Sequence, residues 1–268
     1  MKTGGRVAIV TGASGSIGSS TVRALAASGA NLVLAAIPSE ATLLDALVAE
    51  AIARGVRAIA VSADVRSNDD VSRLVRSALD AFGSVDILCN VAGIGSGPSL
   101  CDETNASIEA VVDINLTGCA RTMRAVLPIM KSQRRGSIVN IGSIAGEAGV
   151  MGIYSASKFG LRGLTDSVRR EVRSYGIGVT LIEPGFVQSK MNEAMGDGLP
   201  SPDIVAAAVV AAIRRPRRRT IVPWYYSPVV RIATAFPGLI DLVFGDARIQ
   251  ERLNRDARAE RAARETAT

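Results

Sequence analysis

Histidine is absent from this chain of 268 residues, and cysteine is scarce. Without histidine, the chain cannot form a Ser-His-Asp hydrolase site or a metal site that uses imidazole ligands. The three cysteines, Cys89, Cys101 and Cys119, contain no Cys-x-x-Cys pair and leave an odd count, so we expect neither a disulfide framework nor a bound metal. This cysteine usage is typical of a reducing compartment and predicts a cytoplasmic protein.

Long apolar runs are also missing, although hydrophobic residues make up 48% of the chain. No stretch of about 18 apolar residues is present to span a bilayer, and no secretion signal precedes the first predicted strand. The net charge is +6, but the arginines cluster late in the chain, so we predict no nucleic-acid partner. The composition favours a globular chain with a full hydrophobic core.

Predicted strands and helices alternate along residues 6–213. The predicted strands are 6–10, 31–35, 56–61, 85–88, 136–142 and 178–182, with 221–222 as a candidate last strand. Alternation of this kind favours parallel strands joined by crossover helices. The sequence therefore predicts one α/β domain over residues 1–268, built on a Rossmann-like, doubly wound parallel sheet of about seven strands with helices on both faces.

A glycine-rich turn at residues 11–18 lies between the first predicted strand and a predicted helix. A strand, a glycine-rich turn and a helix form the unit that binds the pyrophosphate of a dinucleotide through backbone N–H groups. Asp64 closes the third predicted strand and is placed to accept from an adenine amino group, with helix capping as the alternative. Ala36 and Ile37 carry neither an acidic residue for the ribose nor an arginine for a 2′-phosphate. We expect NAD(P), with a slight preference for NADP because Ala36 lacks a repelling carboxylate.

Tyr154 and Lys158 are four residues apart in a predicted helix, and Ser143 follows a predicted buried strand. Positions i and i+4 share one face of a helix, so the phenol and the ammonium are expected to lie together. A nearby cation favours the phenolate, which suits proton transfer at a carbinol or carbonyl oxygen that Ser143 would hydrogen-bond. An ordinary surface pair is the alternative for so short a motif. Asn115 stands inside the predicted helix 103–133, where asparagine is unfavourable.

Several motifs follow one another in a characteristic order. They are Thr11-Gly12 with Gly18, Asp64, Asn90-x-Ala92-Gly93, Asn115, Ser143, Tyr154-x-x-x-Lys158 and Pro184-Gly185. With these motifs the chain resembles the short-chain dehydrogenase/reductase family from residue 6 to about residue 213. The resemblance implies an oxidoreductase that transfers a hydride between a nicotinamide and a secondary alcohol or ketone. It also implies Ser143, Tyr154, Lys158 and Asn115 as the catalytic residues, with Asn115 holding a water that links the lysine to solvent.

The resemblance further implies a set of cofactor-binding residues. They are Gly12, Ser14, Gly15, Ser16, Ile17, Gly18, Asp64, Val65, Asn90, Ala92, Gly93, Tyr154, Lys158, Pro184, Gly185, Val187 and Ser189. One position departs from the family pattern, because Ser16 replaces the middle glycine of the turn. Glycine adopts unusual backbone angles more easily than serine, so we expect Ser16 to reshape the turn.

The resemblance also implies a homodimer or homotetramer. The helix that carries Tyr154 has a face of small residues that would permit close helix approach: Ala156, Gly160, Gly163 and Ser167. Packing inside one subunit is the alternative for this face.

The C-terminal part of the chain lies beyond the family pattern. Residues 214–219 contain five arginines, and residues 221–244 contain five of the ten aromatic residues. A basic cluster beside an apolar stretch favours peripheral contact of residues 214–245 with an anionic membrane. In the alternative, a last strand forms and the aromatic residues cap the substrate pocket or a subunit contact. Both interpretations predict an apolar, lipid- or steroid-like substrate. We also predict a substrate lid at 186–200 and an extension at 224–268, whose charged tail is helical.

A second class of function remains open at this point. A dinucleotide-binding sensor or scaffold without turnover would share the fold, because fold alone does not establish catalysis. The complete set of proposed catalytic residues argues against it.

Overall fold

Seven strands form one parallel sheet in the computed structural model, which describes residues 4–97, 99–189, 191–192, 198–246, 248–249 and 251. The strands are β1 Val7–Thr11, β2 Asn31–Ala36, β3 Ala58–Ser62, β4 Ile87–Asn90, β5 Gly136–Ile141, β6 Ile177–Pro184 and β7 Arg219–Val222. Their order is β3-β2-β1-β4-β5-β6-β7, and the direction of winding reverses between β1 and β4. This topology confirms the predicted doubly wound sheet.

Helices cover both faces of the sheet. They are α1 Ser16–Ala27, α2 Ala41–Ala53, α3 Asn68–Phe82, α4 Asn105–Val112, α5 Cys119–Gln133, α6 Ala145–Ala148, α7 Gly152–Glu171, α8 Asp203–Arg214, α9 Tyr226–Ala235 and α10 Pro237–Phe244. Apolar side chains of α1, α2 and α8 form the core on one face, and those of α3, α5 and α7 form the core on the other. The inner strands β1, β2, β4, β5 and β6 are buried between these layers, which explains their nearly continuous apolar sequences.

The predicted helix 103–133 is wrong in two respects. It begins at Asn105, because the Thr104 hydroxyl accepts from the Ser107 N–H at 3.1 Å and caps α4. It is also interrupted by a π-helical turn, Asp113–Gly118, that separates α4 from α5. Such turns widen a helix locally and are frequent at functional sites. The unfavourable asparagine lies in this turn rather than in regular α-helix.

The expectation that Ser16 would reshape the glycine-rich turn is also wrong. Ser16 is the first residue of α1, and Gly15 before it has an extended backbone with φ of −68°. Among the described residues, the one non-glycine residue with positive φ is Arg134. The position of Ser16 therefore demands no angle that only glycine adopts readily.

The structure contains the candidate last strand at residues 221–222. Arg219–Val222 pairs in parallel with β6, so that Glu183 lies beside Ile221 and Pro184 beside Val222. This pairing extends β6 two residues past its predicted end. Of the described helices, none alone is long and apolar enough to cross a membrane; α9 and α10 pass that test only as a pair bent by 103°. Most of the predicted helical tail lies outside the described residues.

Candidate active site

The candidate site lies where the carboxyl ends of the central strands meet. β1 ends at Thr11 and β4 at Asn90. The Thr11 hydroxyl accepts from the main-chain N–H groups of Val91 and Ala92 at 3.2 and 3.3 Å, which ties the two strand ends together. Ligands of open α/β sheets bind at this edge, near the point where the strand order reverses.

Tyr154 and Lys158 lie on the buried side of α7, one turn apart. Tyr154 is 8% exposed and Lys158 is 6% exposed. The Lys158 ammonium donates to the Ile141 carbonyl at the end of β5 at 3.0 Å, and it lies 5.7 Å from the centre of the Tyr154 ring. The predicted meeting of phenol and ammonium is thus present in the structure. A buried lysine with a fixed partner places a positive charge beside the phenol at little entropic cost.

Ser143 follows β5 on the turn that leads into α6. Its hydroxyl oxygen accepts from the Ala145 N–H at 3.1 Å. This bond uses a lone pair and leaves the hydroxyl proton for another acceptor. The turn is held to β6, because the Ile144 N–H donates to the Pro184 carbonyl at 3.1 Å.

Asn115 joins the π-helical turn to the loop after β4. Its amide makes two hydrogen bonds of 2.9 Å with the main chain of Ile94, one donated and one accepted. It also donates to the Ser157 hydroxyl at 3.1 Å. A Cβ on Gly93 would lie 3.1 Å from the Asn115 carbonyl oxygen and 3.3 Å from the Lys158 ammonium. The Asn115 amide and the Lys158 ammonium therefore both pack close to Gly93.

The glycine-rich turn packs too closely for side chains at two positions. Gly12 has φ of 61°, and a Cβ there would lie 2.7 Å from the main chain of Ala92. A Cβ on Gly18 would lie 2.0 Å from the Gly12 carbonyl oxygen. Within the described chain, no side chain caps the N-terminus of α1, which begins at Ser16 with Ile17 next to it. An uncapped helix start beside a bare turn leaves backbone N–H groups for an anion.

Glu40 was missed by the sequence prediction. It ends a short 3-10 turn, Pro38–Glu40, after β2, and its carboxylate accepts a short hydrogen bond from the Ser14 hydroxyl. The sequence prediction considered only Ala36 to Pro38 as positions for an acidic residue. In a 3-10 turn, residues three positions apart lie one above the other, so Glu40 lies close to Ile37 at the end of β2. The acidic residue is thus two positions beyond those considered.

Asp64 caps no helix, because the Ser67 hydroxyl caps α3 instead. Arg66 Nη2 contacts the Asp64 carboxylate at 2.6 Å, and this hydrogen bond holds the pKa of Asp64 below its ordinary value. The carboxylate is an acceptor at the end of β3 but already has one strong partner. Val65 beside it is buried, and a Cβ on Gly118 would contact its side chain at 2.7 Å.

Asn90 uses its side chain inside the protein. The amide donates to the Asn140 carbonyl oxygen at 2.9 Å and accepts from the Thr122 hydroxyl at 2.7 Å. Asn140 in turn donates to the Thr165 hydroxyl at 2.9 Å. Because both ends of the Asn90 amide are hydrogen-bonded, we expect Asn90 to contact a cofactor through its main-chain atoms.

The segment after β6 closes the site on its far side. The Gly185 N–H donates to the Val222 carbonyl at 2.8 Å, and a Cβ on Gly185 would lie 2.3 Å from the Tyr226 ring. Val187 is 2% exposed, while Ser189 is half-buried. The predicted lid continues past this point, but Lys190 and residues 193–197, which include Met195 and Gly196, lie outside the described residues.

Four charged residues behind the Ser143 turn were also missed. Glu147, Arg162, Glu183 and Arg219 lie on four different elements and form one buried ion-pair network. Their positions in the sequence are far apart, so no spacing rule could have joined them.

Comparisons with known proteins agree with this geometry. The sequence model of a family described as short chain dehydrogenase matches residues 6–199. A 3-oxoacyl-[acyl-carrier-protein] reductase from Synechocystis sp. is 43% identical over 190 residues, covering 70% of this chain and 76% of the relative.

Two crystal structures are similar in fold. A short chain dehydrogenase/reductase from Burkholderia phymatum in complex with NAD superposes with a TM-score of 0.81 at 28% identity, covering 89% of this chain and 96% of that one. A short chain dehydrogenase from Burkholderia cenocepacia in complex with NADP gives a TM-score of 0.77 at 30% identity, covering 83% and 98% of the two chains.

Proposed function

Because the chain belongs to the short-chain dehydrogenase family, and is therefore an oxidoreductase acting on carbinol or carbonyl groups, we propose that it interconverts a secondary alcohol and a ketone on an apolar chain with NAD(P). The observation that carries this proposal is the buried cluster of Tyr154, Lys158 and Asn115 beside Gly93, at the edge of the sheet where dinucleotides bind. A sensor has no use for a buried ammonium held against a phenol.

In this proposal Tyr154 gives or takes the proton of the substrate oxygen. Lys158, anchored on the Ile141 carbonyl, stabilises the phenolate that forms and binds the ribose next to the nicotinamide. The Ser143 hydroxyl donates a hydrogen bond to the substrate oxygen and so orients the reacting carbon. The side chain of Asn115 is hydrogen-bonded to the main chain of Ile94. The main-chain carbonyl of Asn115 is therefore the group that binds the relay water connecting Lys158 to solvent.

The residues present fit a dinucleotide. The close approach of Gly12 and Gly18 and the uncapped start of α1 form a cradle that a larger side chain would fill. When bound, NAD(P)H supplies the hydride. NADP is slightly preferred in this proposal because Ala36 places no carboxylate at the end of β2. The Glu40 carboxylate held by Ser14 opposes a 2′-phosphate and is the residue through which this preference can be tested.

The contacts proposed for the rest of the cofactor follow the sheet edge. Asp64 and Val65 lie near the adenine end, Ala92 and Gly93 lie at the centre, and residues 184–189 lie at the nicotinamide end. This assignment is supported by their places at the carboxyl ends of β3, β4 and β6.

The substrate proposed is an apolar acyl chain rather than a steroid. The name of the Synechocystis relative supports a 3-oxoacyl group. Phe186 and Met191 expose apolar surface on the segment proposed as the lid, residues 186–200. Met191 also packs against Gly95 in the loop that follows β4. Exposed apolar side chains near a site favour an apolar ligand.

We further propose one domain over residues 1–268, with an extension at 224–268, located in the cytoplasm and making a peripheral membrane contact through residues 214–245. Two arginines of the basic cluster already have partners in the fold, since the exposed Arg218 pairs with Asp166 at 2.5 Å and Arg219 pairs with the buried Glu183 at 2.6 Å. Arg214, Arg215 and Arg217 are exposed and support attraction to an anionic surface.

A homodimer or homotetramer is also proposed. The small-residue face of α7 is divided in the structure, because a Cβ on Gly160 would contact Leu116 of the same chain at 3.0 Å, whereas a Cβ on Gly163 would meet open space. The exposed part of this face, with Phe159 beside it, is available to a second subunit.

Turnover distinguishes the enzyme from a sensor or scaffold. The purified chain is incubated with NADPH or NADH and a series of 3-oxoacyl thioesters of N-acetylcysteamine, and oxidation of the reduced nicotinamide is followed by its absorbance. We expect turnover that improves as the acyl chain lengthens. Tight cofactor binding without consumption of any ketone or secondary alcohol would favour the sensor.

A further inference from the structure

Glu147 and Glu183 are two carboxyl groups buried side by side behind the proposed active site. Their side chains are 1% and 2% exposed. Arg162 Nη1 donates to both carboxylate oxygens of Glu147 at 2.7 Å. Arg219 donates from Nε to Glu183 at 2.6 Å, and its Nη2 lies 3.2 Å from Glu147. Acidic residues are almost never buried this deeply unless they are paired, so the network is a built feature of the fold.

The network joins the segments that carry the proposed catalytic residues. Glu147 lies in α6, four residues after Ser143, and Arg162 lies in α7, four residues after Lys158. Glu183 is near the end of β6 and directly precedes Pro184, the start of the segment proposed to face the nicotinamide. A shift in any one member would therefore move a reacting group relative to the others, and small misplacements are costly in catalysis.

Glu147 and Glu183 are held by the same arginine, Arg219, and a buried pair of carboxyl groups shares a proton readily because two adjacent negative charges are unfavourable there. Burial, together with the neighbouring Glu147, raises the pKa of Glu183 to about 7, and Arg219 opposes that rise. The charged groups facing the pair are Arg162 from α7 and Arg219 from β7. Arg231 of α9 lines the same cavity as Arg219, which has a volume of about 470 Å³. Glu183 therefore gains or loses its proton near neutral pH, next to the buried Glu147.

We propose that Glu147 and Glu183 are a proton-sharing positioning pair that holds the Ser143 turn and the Pro184 segment in register with Tyr154. With the proton in place, the two carboxyl groups are hydrogen-bonded and draw α6 against the end of β6. Without the proton, the two carboxylates repel each other, and the Ser143 turn is held less firmly against the end of β6. The effect on catalysis rests on the proposed oxidoreductase function, whereas the shared proton does not.

The pH dependence of stability has a definite sign. The pKa of Glu183 in the folded chain, about 7, is above its ordinary value of 4.5, so the folded state binds the proton more tightly than the unfolded state. The stability contributed by this proton is fully present below the ordinary pKa, and it is lost as the pH rises through 7.

The test compares the full chain with Glu183→Gln and Glu147→Gln, either of which replaces the shared proton by a permanent amide donor. Glu171→Gln is the matched control, because Glu171 lies on α7 but forms an exposed ion pair with Lys131. For each protein, kcat and KM for the N-acetylcysteamine thioester of acetoacetate, the Kd for NADPH and the thermal midpoint are measured from about pH 5.5 to about pH 8.5.

In the wild-type chain and the control we expect the thermal midpoint to fall across this range and kcat to fall with it. In the two pair variants we expect a flatter thermal profile and a kcat ratio between high and low pH about threefold larger than in wild type, with KM nearly unchanged. Having both variants keeps the test open if one of them fails to fold.

Unchanged thermal and kinetic pH profiles in both variants would overturn the proposal, as would flattened thermal profiles with wild-type kinetics. Failure of the proposed function has a different signature, namely no turnover in the wild-type chain. In that case the pH dependence of the NADPH Kd replaces kcat: a flattening in the pair variants supports positioning of the Pro184 segment, and an unchanged dependence overturns it.

Discussion

Two regions of the chain place side chains in opposite, unusual ways. They are the region of the family match, residues 6–199, and the C-terminal region from β7 to α10. In the first region polar side chains such as Asn115 and Lys158 lie inside the protein with hydrogen-bond partners. In the second region large apolar side chains lie outside, and Trp224 and Leu242 are 77% and 76% exposed. Each pattern runs against the usual distribution of residues and therefore indicates a functional surface.

In the proposed function the two regions have different roles toward one substrate. The buried polar groups are pre-organised, because Lys158 is anchored on the end of β5 and Asn115 on the loop after β4. The exposed apolar groups of α9 and α10 gain free energy only when something apolar covers them. Tyr226 links the two regions through its ring on Gly185. Chemistry is thus predicted to depend on the first region and chain-length selectivity on the second.

The largest expected effect follows from Tyr154→Phe. Loss of the phenolic proton should lower kcat by about 10²–10⁴-fold, since that is the usual contribution of a general acid or base. The Kd for NADPH, measured by fluorescence, should change little. Tyr175→Phe is the control, because Tyr175 packs near Lys131 on the surface away from the site. Wild-type turnover in the Tyr154 variant would remove the proposed mechanism.

Gly12→Ala tests the cradle in the first region. The new Cβ would lie 2.7 Å from the Ala92 main chain at a positive φ, so the turn must move. We expect about 1–3 kcal/mol of lost stability and about tenfold weaker NADPH binding. Gly15→Ala is the matched control, because its nearest neighbour is at an ordinary 3.5 Å. Equal cofactor affinity in both variants would contradict the assignment of the turn.

Removal of residues 224–268 tests the second region. We expect kcat/KM for long acyl thioesters to fall about tenfold and that for short ones to change much less, because the apolar contacts are lost. Thermal unfolding checks that the truncated chain remains folded without the Tyr226 contact. An unchanged chain-length profile would separate the extension from substrate selection.

Exposed apolar residues of the same region test the membrane proposal without truncation. Replacing Trp224 and Leu242 together by serine should weaken cosedimentation with anionic phospholipid vesicles several-fold, about in proportion to the apolar area lost. Leu43→Ser on α2 is the control, since this leucine is also exposed, at 49%, but belongs to a different helix. If the wild-type chain does not bind the vesicles, or if its binding does not weaken with salt, the membrane proposal is wrong. Capping of the substrate pocket would then be the remaining role for this region.

The smallest expected effect concerns the choice of cofactor. Glu40→Gln removes the carboxylate next to Ser14. We expect kcat/KM with NADPH to rise about threefold relative to that with NADH, because repulsion of the 2′-phosphate is reduced. Glu50→Gln is the control, as Glu50 pairs with Arg23 on the surface of α2. An unchanged ratio would show that Glu40 does not face the adenosine ribose.

Sequence periodicity and spacing determined the architecture and much of the proposed site. Alternating apolar strands and helices predict the doubly wound sheet, because both signals are local along the chain. The i, i+4 spacing of Tyr154 and Lys158 likewise placed both on the buried face of α7. Their local geometry is decided by backbone periodicity, which the amino-acid sequence specifies directly.

Tertiary structure alone decided which distant residues meet. Glu147 and Glu183 are 36 residues apart in number and come from α6 and β6. Arg218 and Arg219 belong to a run of arginines that suggested a free basic patch, yet Arg218 forms an ion pair with Asp166 at the surface and Arg219 forms one with the buried Glu183. Side-chain pairing across elements depends on strand register and helix packing, which arise only when the whole sheet assembles. The glycine turn, the tyrosine and the lysine were therefore readable in the sequence, whereas the charge network behind them required the fold.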